Sequence, residues 1–133
     1  MIRFREHQWF QILTHLNRCL PDEACGLVGG TYEDVCTLYS VTNILHSPSR
    51  FKMDPQEQVN ALLSIEEKGE TLLAIYHSHP TGPQGMSSTD TEEHAYPESA
   101  QLIFTPHSDT WKCSAFRIIS EKWEEIDVRV VKR

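Results

Sequence analysis

A near-continuous apolar run from Thr71 to Tyr76 is the feature that most limits how this chain can fold. Strands with one solvated face alternate apolar and polar residues, whereas an unbroken apolar run is typical of a central strand that is covered on both faces. The chain therefore requires packing elements on both sides of a sheet. The run leads directly into His77-Ser78-His79-Pro80, so two imidazoles stand where the predicted strand ends.

Two other segments carry the signals of long helices. Between Glu6 and Leu20, apolar residues recur every three or four positions, which places them on one helical face. A second helix is expected to begin after Asp54, which precedes a proline and has a glutamate three positions later, and to end at Gly69. The predicted buried faces comprise Trp9, Ile12, Leu13, Leu16 and Leu20 in the first helix and Val59, Leu62 and Leu63 in the second.

Short β-rich segments fill most of the remaining chain. They lie at 23–30 and 35–45, which we expect to form a hairpin, and at 71–76, 102–104, 111–119 and 123–131, while residues 1–5 could add a short edge strand. A short third helix is expected to begin near Ser87, where hydroxyl residues precede acidic ones. The sequence thus predicts an α+β fold, in which about six strands of a mixed sheet are flanked by two long helices and one short helix.

Length, charge and cysteine content narrow the class of protein. A chain of 133 residues predicts one domain, spanning 1–133. The net charge of −7 disfavours nucleic acid as a partner, because phosphate binding requires clustered basic residues. The absence of an 18-residue apolar run or a signal peptide predicts a cytoplasmic protein without a membrane span. The four cysteines form no CxxC pair and are interpreted as small buried residues.

The residues after the central strand have the composition of a zinc site. Side chains two apart in a strand share a face, so His77 and His79 project together. The glycines and proline of 81–86 favour a chain reversal, and Ser87 and Asp90 follow at helical spacing. Two imidazoles and one carboxylate make a three-ligand zinc site with a fourth position for water, which is the pattern of a hydrolase.

Hydrolysis at such a site also requires a carboxylate that takes the proton from water without binding the metal. The spacing of residues alone does not identify this carboxylate. Glu92 and Glu93 are close in sequence to Asp90 but point away from it on a helix, and Glu23 begins a buried strand, where a carboxylate is unusual.

The spacing of these residues resembles a known family. His77-Ser78-His79-Pro80, followed by Ser87 and Asp90, resembles the JAMM motif of the MPN-domain metalloproteases. Glu23-x-Cys-Gly-Leu-x-x-Gly is similar to the upstream glutamate segment of that family, and the resemblance covers nearly the whole chain. A further stretch that is similar to the short prokaryotic members comprises Asn43, Ser47-Pro48 and Met53-Asp54-Pro55.

The resemblance implies a role for each of five residues. By it, His77, His79 and Asp90 bind one zinc ion per chain, Glu23 is the general base and acid, and Ser87 helps to hold the oxyanion. It also implies the curved sheet of an MPN domain and a stand-alone metallopeptidase that cleaves a peptide or isopeptide bond.

The implied substrate is the C-terminal tail of a ubiquitin-like or sulfur-carrier protein, with the oligomeric state left open. An extended tail would pair with a sheet edge, beside a wall formed by the loop from His46 to Phe51. The alternative is a non-catalytic MPN scaffold that retains a metal site. A zinc deaminase would need HxE and PCxxC motifs that this sequence lacks, and Cys25 would have no free base to activate it as a nucleophile.

Overall fold

The structure, a computed structural model, describes residues 1–81, 96 and 98–132. The predicted short helix near Ser87 lies outside these residues. No helix within them is long and apolar enough to cross a membrane. The elements are β1 (Ile2–Arg5), α1 (Glu6–Cys19), β2 (Cys25–Thr31), β3 (Asp34–Val41), α2 (Pro55–Glu67), β4 (Thr71–Ser78), β5 (Ala100–His107), β6 (Thr110–Ile119), β7 (Lys122–Ile126) and β8 (Val128–Val131).

The described strands form one mixed sheet in the order β7-β6-β5-β4-β2-β3-β1-β8. β4 lies inside this sheet, parallel to β5 and antiparallel to β2, as its apolar sequence predicts. The expected hairpin between β2 and β3 is confirmed, with Cys25 opposite Val41. The prediction of about six strands is wrong, because the sheet has eight.

The two strands beyond the predicted six come from the two ends of the described chain. The segment 123–131, predicted as one strand, is divided into β7 and β8, which lie at opposite edges of the sheet. β8 pairs in parallel with β1, and the amide of Ile2 donates to the Asp127 carbonyl at 2.9 Å. β1 is therefore an inner strand between β3 and β8. Contacts between β6 and β8 show that the sheet curves until it is nearly closed.

A hydrophobic core lies on each face of β4. One contains Leu73, Ala74 and Tyr76 and is covered by α1, while the other contains Ile75 and is covered by α2. Asp54 caps α2 as predicted, since its carboxylate accepts from the amides of Gln56 and Glu57. The predicted buried face of α2 is correct only for Leu62, which is partly buried against the core. About half the surface of Val59 and of Leu63 is exposed, and the buried residues of α2 are Ala61 and Ile65.

Gly26 is a position where the two cores leave no room for a side chain. A Cβ atom there would overlap the Tyr76 ring and the carbonyl oxygen of Tyr39. We expect Gly26→Ala to lower the free energy of unfolding by about 1–3 kcal/mol, the usual range for overpacking, as measured by urea denaturation.

Gly69 provides the control for this substitution. Its φ is +69°, and no atom lies within 4 Å of the position that a Cβ would occupy, so asparagine, which tolerates the left-handed region, should be accommodated. Gly69→Asn is expected to change stability by less than about 0.5 kcal/mol. Equal stability of the Gly26→Ala protein and the wild type would contradict the close packing of β2 against Tyr76.

Candidate metal centre

The two histidines of the HxH sequence come together at the end of β4. Their Nε2 atoms lie 2.9 Å apart, and the side chains of His77 and His79 are 1% and 4% exposed. The alternation of side chains along an extended chain explains why both rings emerge on one face. His79 follows the last residue of β4, and its amide donates to the Phe104 carbonyl at 2.8 Å, which fixes it against β5.

Glu23 reaches the same place from the start of β2. The antiparallel register places Cys25 opposite His77. Two hydrogen bonds extend this pairing by one residue: the Ala24 amide donates to Ser78 Oγ at 2.8 Å, and the Ser78 amide donates to the Ala24 carbonyl at 3.0 Å. Glu23 is therefore a neighbour of His79 on the same face of the sheet.

The three side chains form a compact buried cluster. One ligand atom from each of Glu23, His77 and His79 lies within 4.8 Å of the other two, and Glu23 is only 3% exposed. Burying a carboxylate is costly unless an opposite charge or hydrogen bonds compensate it. An arrangement of two imidazole nitrogens and one carboxylate that converge in a buried position can hold a metal ion.

Ser87 and Asp90, the other two residues of the predicted site, lie outside the described residues, as do Glu92 and Glu93. Of the five residues in the JAMM-like pattern, the structure therefore brings together three. Their proximity links the start of β2 to the end of β4, across more than fifty residues of sequence.

Phe51 makes a contact within the site that the sequence did not predict. Its ring stacks on the imidazole of His77, with the centroids 4.7 Å apart and the planes inclined by 27°. Phe51 lies on the loop that is expected to form a wall of the substrate groove, and an aromatic residue within a polar loop is the only sequence signal for an inward position. The contact restricts the rotation of the imidazole.

Cys25 lies beside the cluster, opposite His77 in the adjacent strand. It is completely buried, and its Sγ lies 3.5 Å from the carbonyl oxygen of Val41. Burial raises the pKa of the Cys25 thiol to about 12, so it stays protonated near neutral pH. Because the thiolate is the reactive form, Cys25 acts as a packing residue and not as a nucleophile.

A surface cleft borders the cluster on the side of Glu23. It has a volume of about 370 Å³ and lies between the end of α1 and the end of β3. Acidic and basic side chains both line it. Its lining includes His15, Arg18, Asp22, Asn43, His46 and Glu57.

Comparison with known sequences finds a matching family and several curated relatives. A family model described as prokaryotic homologs of the JAB domain matches residues 6–119. A desampylase from Haloferax volcanii is 30% identical over 113 residues, which covers 83% of this chain and 79% of the relative. A CysO-cysteine peptidase from Mycobacterium tuberculosis is 28% identical over 125 residues, which covers 92% of this chain and 86% of the relative.

Solved structures show the same fold. The solution structure of a protein from Desulfitobacterium hafniense matches with a TM-score of 0.87 and 31% identity, covering 100% of this chain and 94% of that one. A JAB1/MPN domain protein from Archaeoglobus fulgidus matches with a TM-score of 0.62 and 19% identity, covering 98% of this chain and 97% of that one. The second match, at this identity, concerns the fold alone.

Proposed function

The chain belongs to the family of prokaryotic homologs of the JAB domain, and from this premise we propose that it is a zinc metallopeptidase. The proposed reaction is hydrolysis of a peptide or isopeptide bond at the C-terminal tail of a ubiquitin-like or sulfur-carrier protein. The observation that carries the proposal is the buried convergence of Glu23, His77 and His79. The names of the two relatives, desampylase and CysO-cysteine peptidase, support an enzyme that acts on small carrier proteins.

The donor atoms fit zinc. Imidazole nitrogen suits zinc, whereas calcium and magnesium prefer oxygen alone. We assign His77 and His79 as ligands, with Asp90 as the third, and Glu23 as the carboxylate beside the ion. A zinc ion held there would supply a Lewis acid that lowers the pKa of water to about 7 and polarises a carbonyl.

Glu23 is proposed to carry the proton through the reaction. Its carboxylate takes a proton from the attacking water as the water adds to the scissile carbonyl, and then delivers that proton to the leaving amine. The hydroxyl of Ser87 donates a hydrogen bond to the developing oxyanion. The burial of Glu23 and both histidines keeps bulk water away from these transfers, which strengthens the electrostatic contribution of each group.

The substrate tail is proposed to approach along the loop 46–51, in extended conformation. Phe51 anchors this loop to His77, and His46 lines the cleft beside Glu23, so the loop lies between the proposed metal and the surface. We place the reaction in the cytoplasm. All four cysteines are free thiols, which a reducing compartment favours.

The proposal is tested with a sulfur-carrier protein that is extended by several residues past its C-terminal Gly-Gly. The zinc-loaded wild type should trim the extension at the Gly-Gly, as seen by intact-mass spectrometry, whereas Glu23→Gln should trim it at least about 100-fold more slowly. Trimming by both proteins at equal rates would exclude Glu23 as the base. Failure of both, with one zinc bound per chain, would contradict this substrate class and favour the non-catalytic scaffold.

A further inference from the structure

The loop between β3 and α2 is organised around one side chain, that of Asn43. Asn43 and Met53 form an isolated antiparallel bridge, and the Ile44 amide donates to the Lys52 carbonyl at 2.9 Å, so the loop has a narrow neck. The Asn43 side chain points into this loop and is only 8% exposed. Its Oδ1 accepts from the amides of Leu45 and Lys52, both at 3.1 Å.

The other end of the same carboxamide reaches Glu23. Asn43 Nδ2 donates to the Arg50 carbonyl at 3.1 Å and to the Glu23 carbonyl at 3.0 Å. The carboxamide thus uses two acceptor and two donor positions, which is its full ordinary capacity. No aspartate or aliphatic side chain can reproduce this pattern, because it requires donors and acceptors on one short planar group.

The loop also holds the other polar group of the Glu23 backbone. The Glu23 amide donates to the Ser47 carbonyl at 2.8 Å. Glu23 lies two positions before the first residue of β2, so these two loop contacts bind the backbone of Glu23 just outside the ladder of the sheet. The loop that holds Glu23 also carries Phe51, which stacks on His77.

We infer that Asn43 is a positioning residue that fixes Glu23 relative to His77 and His79 by joining the loop neck to the Glu23 carbonyl. This inference rests on the proposed function, in which Glu23 moves the proton. Catalytic groups must be held within about 0.5 Å of their productive geometry, and an error of about 1 Å can cost roughly 100-fold in rate. Loss of the Asn43 contacts should therefore act on turnover through Glu23.

Gln8 provides a matched control at a distance from the site. It is also a buried carboxamide, 5% exposed, and it also bridges two backbone segments. Its Nε2 donates to the Val35 carbonyl at 2.8 Å, and its Oε1 accepts from the Arg5 amide at 2.8 Å. Gln8→Met removes these bonds with little change of shape, as Asn43→Leu does at the loop.

The experiment compares the two zinc-loaded variants in cleavage of the extended carrier protein. For Asn43→Leu we expect kcat to fall about 10- to 100-fold with bound zinc unchanged, and any rise in KM from the loosened loop to be smaller than the fall in kcat. Gln8→Met should keep the wild-type kcat even if its Tm falls as much as that of Asn43→Leu. Should Asn43→Leu fail to fold, Asn43→Asp retains both accepted bonds and removes the two donations, to the carbonyls of Glu23 and Arg50, with Gln8→Glu as the control for the added charge.

Two further measurements separate positioning from general loss of structure. In the Glu23→Gln background, Asn43→Leu should cause no additional loss of kcat, because the group that it positions is already absent. In the zinc-free protein, hydrogen exchange of the Glu23 amide should accelerate in Asn43→Leu but not in Gln8→Met.

An unchanged kcat for Asn43→Leu, or a full additional loss in the Glu23→Gln background, would overturn the positioning role. A wild-type protein that does not cleave the carrier would count against the proposed function instead. In that case the exchange of the Glu23 amide would still decide whether Asn43 fixes the Glu23 backbone.

Discussion

Glu23→Gln is expected to lower kcat by about 10²- to 10⁴-fold, the usual contribution of a general base. Glutamine has nearly the same shape as glutamate and can occupy the same buried position, but it cannot accept the proton. The loss corresponds to about 3–5 kcal/mol of transition-state stabilisation. Bound zinc should remain near one per chain, since the two histidines are untouched, and both quantities are measured on the same preparation.

Asp22→Asn is the matched control, since it removes the neighbouring carboxylate. Asp22 lines the same cleft but is absent from the group of described side chains that could hold a metal ion. The Asp22→Asn protein should retain most of the wild-type kcat. Equal losses in the two variants would mean that the net charge of the cleft matters and that Glu23 has no special role.

Replacement of His79 by asparagine is expected to abolish both zinc binding and activity. His79 is almost fully buried, its Nε2 meets that of His77, and a site with one imidazole fewer loses a direct metal–nitrogen bond. Mutation of residues that merely support a ligand typically costs about 10- to 100-fold in affinity or activity, so loss of a ligand should exceed that range. Zinc per chain after gel filtration, measured by atomic absorption, is the direct test.

His107→Asn serves as the control, because His107 is an exposed histidine at the end of β5. It should bind zinc and cleave substrate like the wild type. Full zinc occupancy in His79→Asn would remove His79 from the ligand set, whatever the activity of that variant.

The fold is predictable where the signal is local. The apolar sequence of β4 requires cover on both faces, and Asp54 caps α2 through bonds to residues two and three positions away. The division of 122–131 into β7 and β8 is not predictable, because alternation in the sequence does not state which neighbour a strand will have. In α2 the prediction overlooked Ala61 and Ile65. Alanine is a weak hydrophobic signal, and the exposed apolar residues Val59 and Leu63 make the buried face of the helix hard to recognise from sequence.

The site, too, is predictable only where the signal is local. The proximity of His77 and His79 follows from the two-residue period of an extended chain, which the sequence displays directly. The arrival of Glu23 depends on the register between β2 and β4, so only resemblance to a family could select it. The contacts of Asn43 and Phe51 depend on the path of a loop, which residue pattern does not determine.

The parallel pairing of β1 with β8 has a consequence for how the chain acquires its structure. It joins the strands that are farthest apart in the described sequence, so during synthesis β1 must wait for residues 128–131 before its outer edge is paired. Until then that edge exposes amide and carbonyl groups that another chain could bind. An incomplete chain with this edge unpaired is therefore prone to self-association. The exposure ends only when β8 has been synthesised and pairs with β1.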